Sequence, residues 1–368
     1  MQIYADNAAF KPLLPEVKKF IHNFIETDFC NPSAIYSNGR STRRLIEQAR
    51  EQVAKAIGAD TDEIYFTGSA TESINWFARN ADRIYTTTIE HKAVLRNANN
   101  FIPVDNTGRV DLDIFREQCP RYGNVIVGWV NNEIGVIQPV KEIVDICHKK
   151  HSSILIDATQ AIGHIPIDVH ELGVDFLVGS FGKLGGLTGS GFLYMRRGMH
   201  IEPMIKGGGQ EHGMRASTEN IIGILAGAKA IEIATKHIVP NTIRRDYIIE
   251  SLLNIPKSYL NGSWSKRVDN NINVAFEGIE AESLVLQLDL KGIAVSAGSA
   301  CNSTNIEPSH VLKAIGLSDE IAKASIRITI DENITDEQIE YLVNTIKDCV
   351  AKMRQSSSLW KKIENEDN

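Results

Sequence analysis

An α/β fold is predicted for this chain of 368 residues by three observations. Short apolar runs alternate with segments of helical period through the first two thirds of the sequence. Those runs are β-branched or apolar nearly throughout, as strands buried on both faces of a mostly parallel sheet are. Near residue 250 the texture changes, and a shorter mixture of strands and helices follows, which reads as a smaller α+β unit.

The spacing predicts a helix over 41–57, with Leu45, Ile46, Ala49, Val53 and Ile57 on one stripe and Gly58 closing it. Residues 63–67 read as a strand, Gly68-Ser69 as a turn and 70–79 as a helix. Further strands are expected over 124–130, 153–158, 174–179 and 191–196. Beyond residue 250, strands are expected over 271–276, 293–296 and 325–330, and a helix over 281–290. The last helix opens on the capping box Thr335-Asp336-Glu337-Gln338 and carries Ile339, Leu342, Val343, Ile346, Val350 and Met353 on one face. The polar tail from Ser356 is expected to be mobile. No repeat or low-complexity linker intervenes, so the two parts should pack closely.

Composition excludes several classes. Lys+Arg 39 against Asp+Glu 46 gives a net charge of −7 without a block of like charge, which argues against nucleic-acid or anionic-membrane binding. No apolar run reaches the ~18 residues of a membrane span, and the start shows neither the basic nor the apolar region of a secretory signal. The five cysteines, Cys30, Cys119, Cys147, Cys301 and Cys349, are scattered and form no C-x-x-C pair. That gives no disulfide framework and no zinc signature, and implies a reducing, cytoplasmic setting.

The densest chemical signal is the glycine-rich stretch 179–191 around Lys183. It is not a phosphate loop, because Leu184 follows the lysine where Ser or Thr is needed, and it has no G-x-G-x-x-G. Lys183 is either a Schiff-base amine just after a buried strand or a solvated surface lysine. The stretch Thr67-Gly68-Ser69-Ala70-Thr71-Glu72-Ser73 offers N–H groups and hydroxyls for an anion, or is an ordinary helix cap. Asp157 ends an apolar strand where open α/β sheets bind ligands; its partner is a pyridinium nitrogen or a structural arginine. His91 is an acid/base group or a surface histidine. Cys301 lies among small polar residues (296–305) with no apolar face, so core packing explains it poorly, whereas Cys147 and Cys349 fit helices.

In this order these segments resemble the cysteine desulfurases, pyridoxal-phosphate enzymes of the class V aminotransferase group. The resemblance runs from Tyr4-Ala5-Asp6-Asn7-Ala8-Ala9 to about residue 350. It includes Asn31-Pro32-Ser33, Glu90-His91-Lys92-Ala93-Val94, Asn131-Asn132-Glu133-Ile134-Gly135, Asp157-Ala158-Thr159-Gln160, Gly207-Gly208-Gly209-Gln210-Glu211, Gly298-Ser299-Ala300-Cys301 and Ser325-Ile326-Arg327. It implies the aminotransferase-like fold type I. A large cofactor domain over 13–250 would carry a mostly parallel seven-stranded sheet flanked by helices, and a smaller α+β domain (1–12 and 251–368) would carry the cysteine loop. Lys183 would hold pyridoxal 5'-phosphate covalently and shuttle the Cα proton, and Asp157 would pair with the pyridinium nitrogen. His91 would stack on the ring and move protons, and Gln160 would bond the ring hydroxyl. Ala70, Thr71 and Ser180 would bind the phosphate, with Thr218 reaching in from the second subunit of a homodimer. Asn132 and Arg327 would orient L-cysteine. Cys301 would take its sulfur as a persulfide, release alanine and pass the sulfur to an acceptor protein, in iron–sulfur cluster assembly or another sulfur pathway.

Some positions depart from the family pattern: Gly182 stands for the histidine before the lysine, Tyr36 for the histidine after Asn-Pro-Ser, and Ser217 for the glycine before the phosphate-binding threonine. The segment between His91 and Pro103 is also short, and the end comes early. Two alternatives follow from the resemblance: a selenocysteine lyase or related lyase, and a cofactor-poor relative acting as a binding partner in sulfur transfer.

Overall fold

The structure is a computed structural model that describes residues 1–236, 238, 240–298 and 308–366. Seven strands form one sheet, in the order Ile64–Thr67, Gly191–Met195, Phe176–Ser180, Ser153–Asp157, Asn124–Gly128, Ile84–Thr87 and Asn100–Ile102. Only Gly191–Met195 runs antiparallel to its neighbours. Side chains alternate across a strand, and the apolar runs feed two cores accordingly. Val125, Val127, Ile154, Ile156, Leu177, Phe192 and Tyr194 pack on one face; Ile126, Leu155, Phe176, Val178, Leu193 and Met195 pack on the other. This burial on both faces is why the strands carry no polar alternation.

The helix expected over 41–57 is Ser37–Ile57, a turn longer at its start, and it ends at Gly58 in the left-handed conformation (φ 69°). It packs against Ile221–Lys236. The strands Ile84–Thr87 and Asn100–Ile102 have three or four residues and too little apolar length to stand out in the sequence.

A second sheet has four antiparallel strands: Ser296–Ala297, Ser325–Thr329, Asn271–Phe276 and Ser258–Leu260. The single strand expected over 293–296 is in fact two. Ile293–Ala294 pairs in parallel with the N-terminal Ile3–Tyr4, and Ser296–Ala297 turns to pair with Ser325–Thr329. The helix Asp336–Ser356, with the expected capping box at Thr335, covers this region's apolar core. Within the polar tail Ser358–Glu366 is a helix, and Trp360 stacks on the Arg354 guanidinium at 3.9 Å. No helix of the described residues is long and apolar enough to cross a membrane.

Candidate active site

The carboxyl ends of the parallel strands open on a cavity of about 350 Å³, inside the range of small-molecule sites (~300–1,000 Å³). Nine of the eleven residues singled out in the sequence line it: Ala70, Thr71, His91, Asn132, Asp157, Gln160, Ser180, Lys183 and Arg327. Thr218 does not. It is exposed in a separate cavity of about 210 Å³ with Arg215, Ser217 and Asn220. Cys301 lies outside the described residues, but Gly298 and His310, on either side of the segment 299–307, both border the main cavity.

Each strand end delivers its residue by local chemistry. After Ile64–Thr67 the helix Ala70–Ala78 begins, and the Ser69 hydroxyl accepts the Glu72 N–H at 3.1 Å. The cap leaves the Ala70 and Thr71 end of the helix turned to the cavity with its positive dipole end, suited to an anion. Asp157 ends the strand Ser153–Asp157, and its Oδ1 accepts the Thr159 N–H at 3.0 Å. Lys183 follows Phe176–Ser180; its Nζ donates to the Ala8 carbonyl at 2.9 Å and to that of Ala9. Gln160 Nε2 donates to the same Ala8 carbonyl at 2.9 Å.

His91 caps the short helix Lys92–Leu95, with Nδ1 accepting the Ala93 N–H at 3.1 Å. In the neutral ring the proton is therefore on Nε2. Desolvation holds its pKa below the ordinary histidine value; Asp157 opposes this, and Lys183, His310 and Lys92 add to it. Arg327 comes from the second sheet. Its Nη1 donates to the Asn132 carbonyl at 3.0 Å and Nη2 to Asp6 Oδ1 at 2.7 Å, while Nε is buried with no partner.

Beneath these groups lies a carboxyl that sequence reasoning passed over. Glu90 is 6% exposed; its carboxylate accepts the Thr87 hydroxyl at 2.6 Å and the Gly128 N–H at 2.8 Å. Burial, with the Asp157 charge adding to it, raises its pKa to about 7 against those two bonds. Asp6, whose carboxylate accepts from Arg327, was also missed, as were the Ala8 and Ala9 carbonyls, since no residue type announces a backbone acceptor. At Gly182 an added Cβ would meet Thr188 Cγ2 at 3.2 Å, so a threonine methyl crowds the room a side chain would need. Ser217 sits at φ 102°, the conformation for which glycine is the usual residue.

The donor set fits pyridoxal phosphate: an amine and a carboxylate at adjacent strand ends, a helix N-terminus for an anion, and buried Thr159 Oγ1 and Arg327 Nε without partners at the cavity wall. A lysine and an acid so placed on a mixed seven-stranded sheet define an aminotransferase-like protein of fold type I. A family model for Aminotransferase class-V matches residues 3–342. The cysteine desulfurase IscS of Methanosarcina thermophila is 41% identical over 98% of this chain and 95% of its own length. That of Dictyoglomus turgidum is 42% identical over 96% and 95%. A solved NifS-like protein matches with TM-score 0.89 at 32% identity, covering 96% of this chain and all of its own. The chain belongs to the cysteine desulfurase family of the class V aminotransferases.

Proposed function

We propose that this chain is a pyridoxal-phosphate-dependent cysteine desulfurase that converts L-cysteine to L-alanine and carries the sulfur as a persulfide on Cys301. The observation that carries the reading is the meeting of Lys183, Asp157 and Arg327 in one cavity of a chain so similar to cysteine desulfurases. The cofactor, when bound, supplies an electron sink for charge developing at Cα. Asp157 would hold a proton on the ring nitrogen, His91 would cover the ring, Gln160 would meet its hydroxyl, and Ala70, Thr71 and Ser180 would hold its phosphate.

Arg327 receives the substrate carboxylate. Asn132 and Asp6 fix the guanidinium plane, and the unpartnered Nε–H remains as a donor. The Lys183 amine, once freed, moves the Cα proton. Cys301 follows Gly298 by three residues, a reach of roughly 10 Å, so its thiol can attain the cavity that Gly298 borders.

The same reading includes a homodimer in which Thr218, exposed and apart from the cavity of Lys183, would serve the partner's phosphate. Ile35 and Tyr36, 87% and 56% exposed, supply apolar surface for such contact. It also includes a division into a domain of 13–250 and a second of 1–12 with 251–368, a cytoplasmic site and a sulfur-acceptor protein.

Purified protein should absorb as a lysine-bound pyridoxal cofactor and release alanine from L-cysteine. Lys183→Ala should lose both. Cys301→Ser should keep the absorbance and make no sulfide in the presence of a reductant; full activity in that variant refutes the persulfide route.

A further inference from the structure

His91 takes its place from a short piece of chain outside regular structure. Residues 88–91 leave the strand Ile84–Thr87 and enter the helix Lys92–Leu95, with Ile89 and Glu90 buried. Such a loop has no ladder of its own, so its buried polar groups need partners elsewhere. Asn131 Nδ2 donates to the Ile89 carbonyl at 2.7 Å, and His310 Nε2 lies 3.0 Å from the Glu90 carbonyl oxygen. The Glu90 carboxylate accepts from the Thr87 hydroxyl at Oε1 and from the Gly128 N–H at Oε2.

That carboxylate bridges two neighbouring strand ends. Thr87 ends Ile84–Thr87, and Gly128 ends Asn124–Gly128, which pairs with that strand on one side and with Ser153–Asp157 on the other. Gly128 stands opposite Asp157 in the register, and the next N–H, that of Trp129, donates to the Asp157 carbonyl at 2.9 Å. A Cβ at Gly128 would lie 2.7 Å from Glu90 Oε2, so glycine leaves the carboxylate its room. The backbone just before His91 is thereby tied to the strand that flanks Asp157. An apolar side chain would fill the same space without the desolvation that a buried carboxylate suffers, so packing alone does not account for an acid here.

We propose that Glu90 is a positioning residue of the reaction, its carboxylate setting the place of the His91 imidazole relative to Asp157 through Thr87 and Gly128. This rests on the reading that His91 covers the cofactor ring and moves protons there. Glu90 acts through His91. Thr87 is buried and does not line the cavity, so the loss of its hydroxyl reaches the chemistry through Glu90.

The test compares holoenzymes of Glu90→Ala, Glu90→Gln, Thr87→Val, Thr87→Ser and His91→Ala. Glutamine keeps an acceptor for the Gly128 N–H and a donor toward the Thr87 oxygen, and serine keeps the hydroxyl. Glu90→Ala should lower kcat on the order of 10²-fold, the cost of a misplaced catalytic group, with KM for L-cysteine held by the untouched Arg327. Glu90→Gln should recover most of that loss. Thr87→Val should lower kcat in the same sense and Thr87→Ser should recover it; this pair decides the matter if Glu90→Ala does not fold. As a readout without turnover, the visible circular dichroism of the bound cofactor should weaken in Glu90→Ala and Thr87→Val as in His91→Ala, at equal cofactor absorbance. Wild-type kcat and dichroism in Glu90→Ala and Thr87→Val overturn the assignment. A loss in Glu90→Gln as deep as in Glu90→Ala, or a rise in KM at unchanged kcat, overturns it too. Wild-type rate and dichroism in His91→Ala would instead refute the reading of His91 itself.

Discussion

Replacing Glu211 by glutamine is expected to destabilise the fold by about 3 kcal/mol, the lower end of the ~3–5 kcal/mol for breaking a buried ion pair. Glu211 and Arg50 are 6% and 2% exposed. Arg50 Nη1 donates to Oε2 at 2.7 Å and Nη2 to Oε1 at 2.9 Å, while the Phe66 N–H also donates to Oε2 at 2.7 Å. Glutamine keeps the shape but not the charge, and leaves a guanidinium inside the protein. Glu47, 3.2 Å from Arg50 Nε but 44% exposed, offsets part of that loss, which is why the lower figure applies. Unfolding entropy of roughly 2.1 cal/mol/K per residue over 368 residues converts 3 kcal/mol to a fall of about 4 °C in Tm. The assay is thermal unfolding of wild type, Glu211→Gln, Arg50→Met and the double variant Arg50→Met/Glu211→Leu. Packed apolar residues should replace the pair at little cost, so the double variant should recover most of the loss. A shift under about 1 °C in Glu211→Gln, or a double variant no better than the worse single one, refutes the reasoning.

Three further outcomes are expected. Ser217→Gly should raise stability by roughly 1 kcal/mol, because a non-glycine at φ 102° costs about 1–3 kcal/mol and glycine returns part of that through the unfolded chain; chemical denaturation measures it. Glu90, with a folded pKa of about 7 raised from an ordinary value of 4.5, binds more protons folded than unfolded between those values. Its contribution therefore falls as pH rises from about 4.5 to 7, by about 3 kcal/mol in all, and Glu90→Gln should flatten that slope in urea titrations at both ends of the window. Arg327→Lys should raise KM for L-cysteine about 10–100-fold with a smaller change in kcat, since a charge remains but the planar fork is lost; steady-state kinetics would expose the error if kcat alone fell.

What the sequence made legible follows the length scale of each interaction. The five-residue apolar strands and the capped helix Asp336–Ser356 are written in local pattern, and so is the turn that closes Ser37–Ile57 at Gly58. Asp157 and Lys183 could be placed because the first ends such a strand and the second follows one by three residues, and both strands end on the same edge of the sheet. Ile84–Thr87 and Asn100–Ile102 could not, because their pairing partners supply the burial their own sequence lacks. The split over 293–297 was hidden for a similar reason: the partner of Ile293–Ala294 is almost three hundred residues away at the N-terminus. Glu90 stood inside a recognised motif yet gave no sign of burial, since its two donors come from Thr87 and the backbone of Gly128.

The N-terminal segment shows why the site is more than a set of motif residues. Asp6 holds Arg327, and the Ala8 carbonyl holds both Lys183 and Gln160. The Ala8 N–H and the Asn7 side chain bond Thr329, on the strand that carries Arg327. One short stretch thus ties the cavity's amine to its guanidinium through bonds on main-chain or neighbouring polar atoms. Asp6 leaves the Arg327 Nε–H without a partner, and the Ala8 carbonyl that accepts from Lys183 also accepts from Gln160. These bonds depend on residues 1–9 keeping their register with Ile293 and Thr329. A movement of residues 1–9 and the second sheet against the large sheet would break the bonds of Ala8 to Lys183 and Gln160 and of Arg327 to Asn132. The geometry favours a cavity whose two halves hold together while the chemistry is carried by side chains.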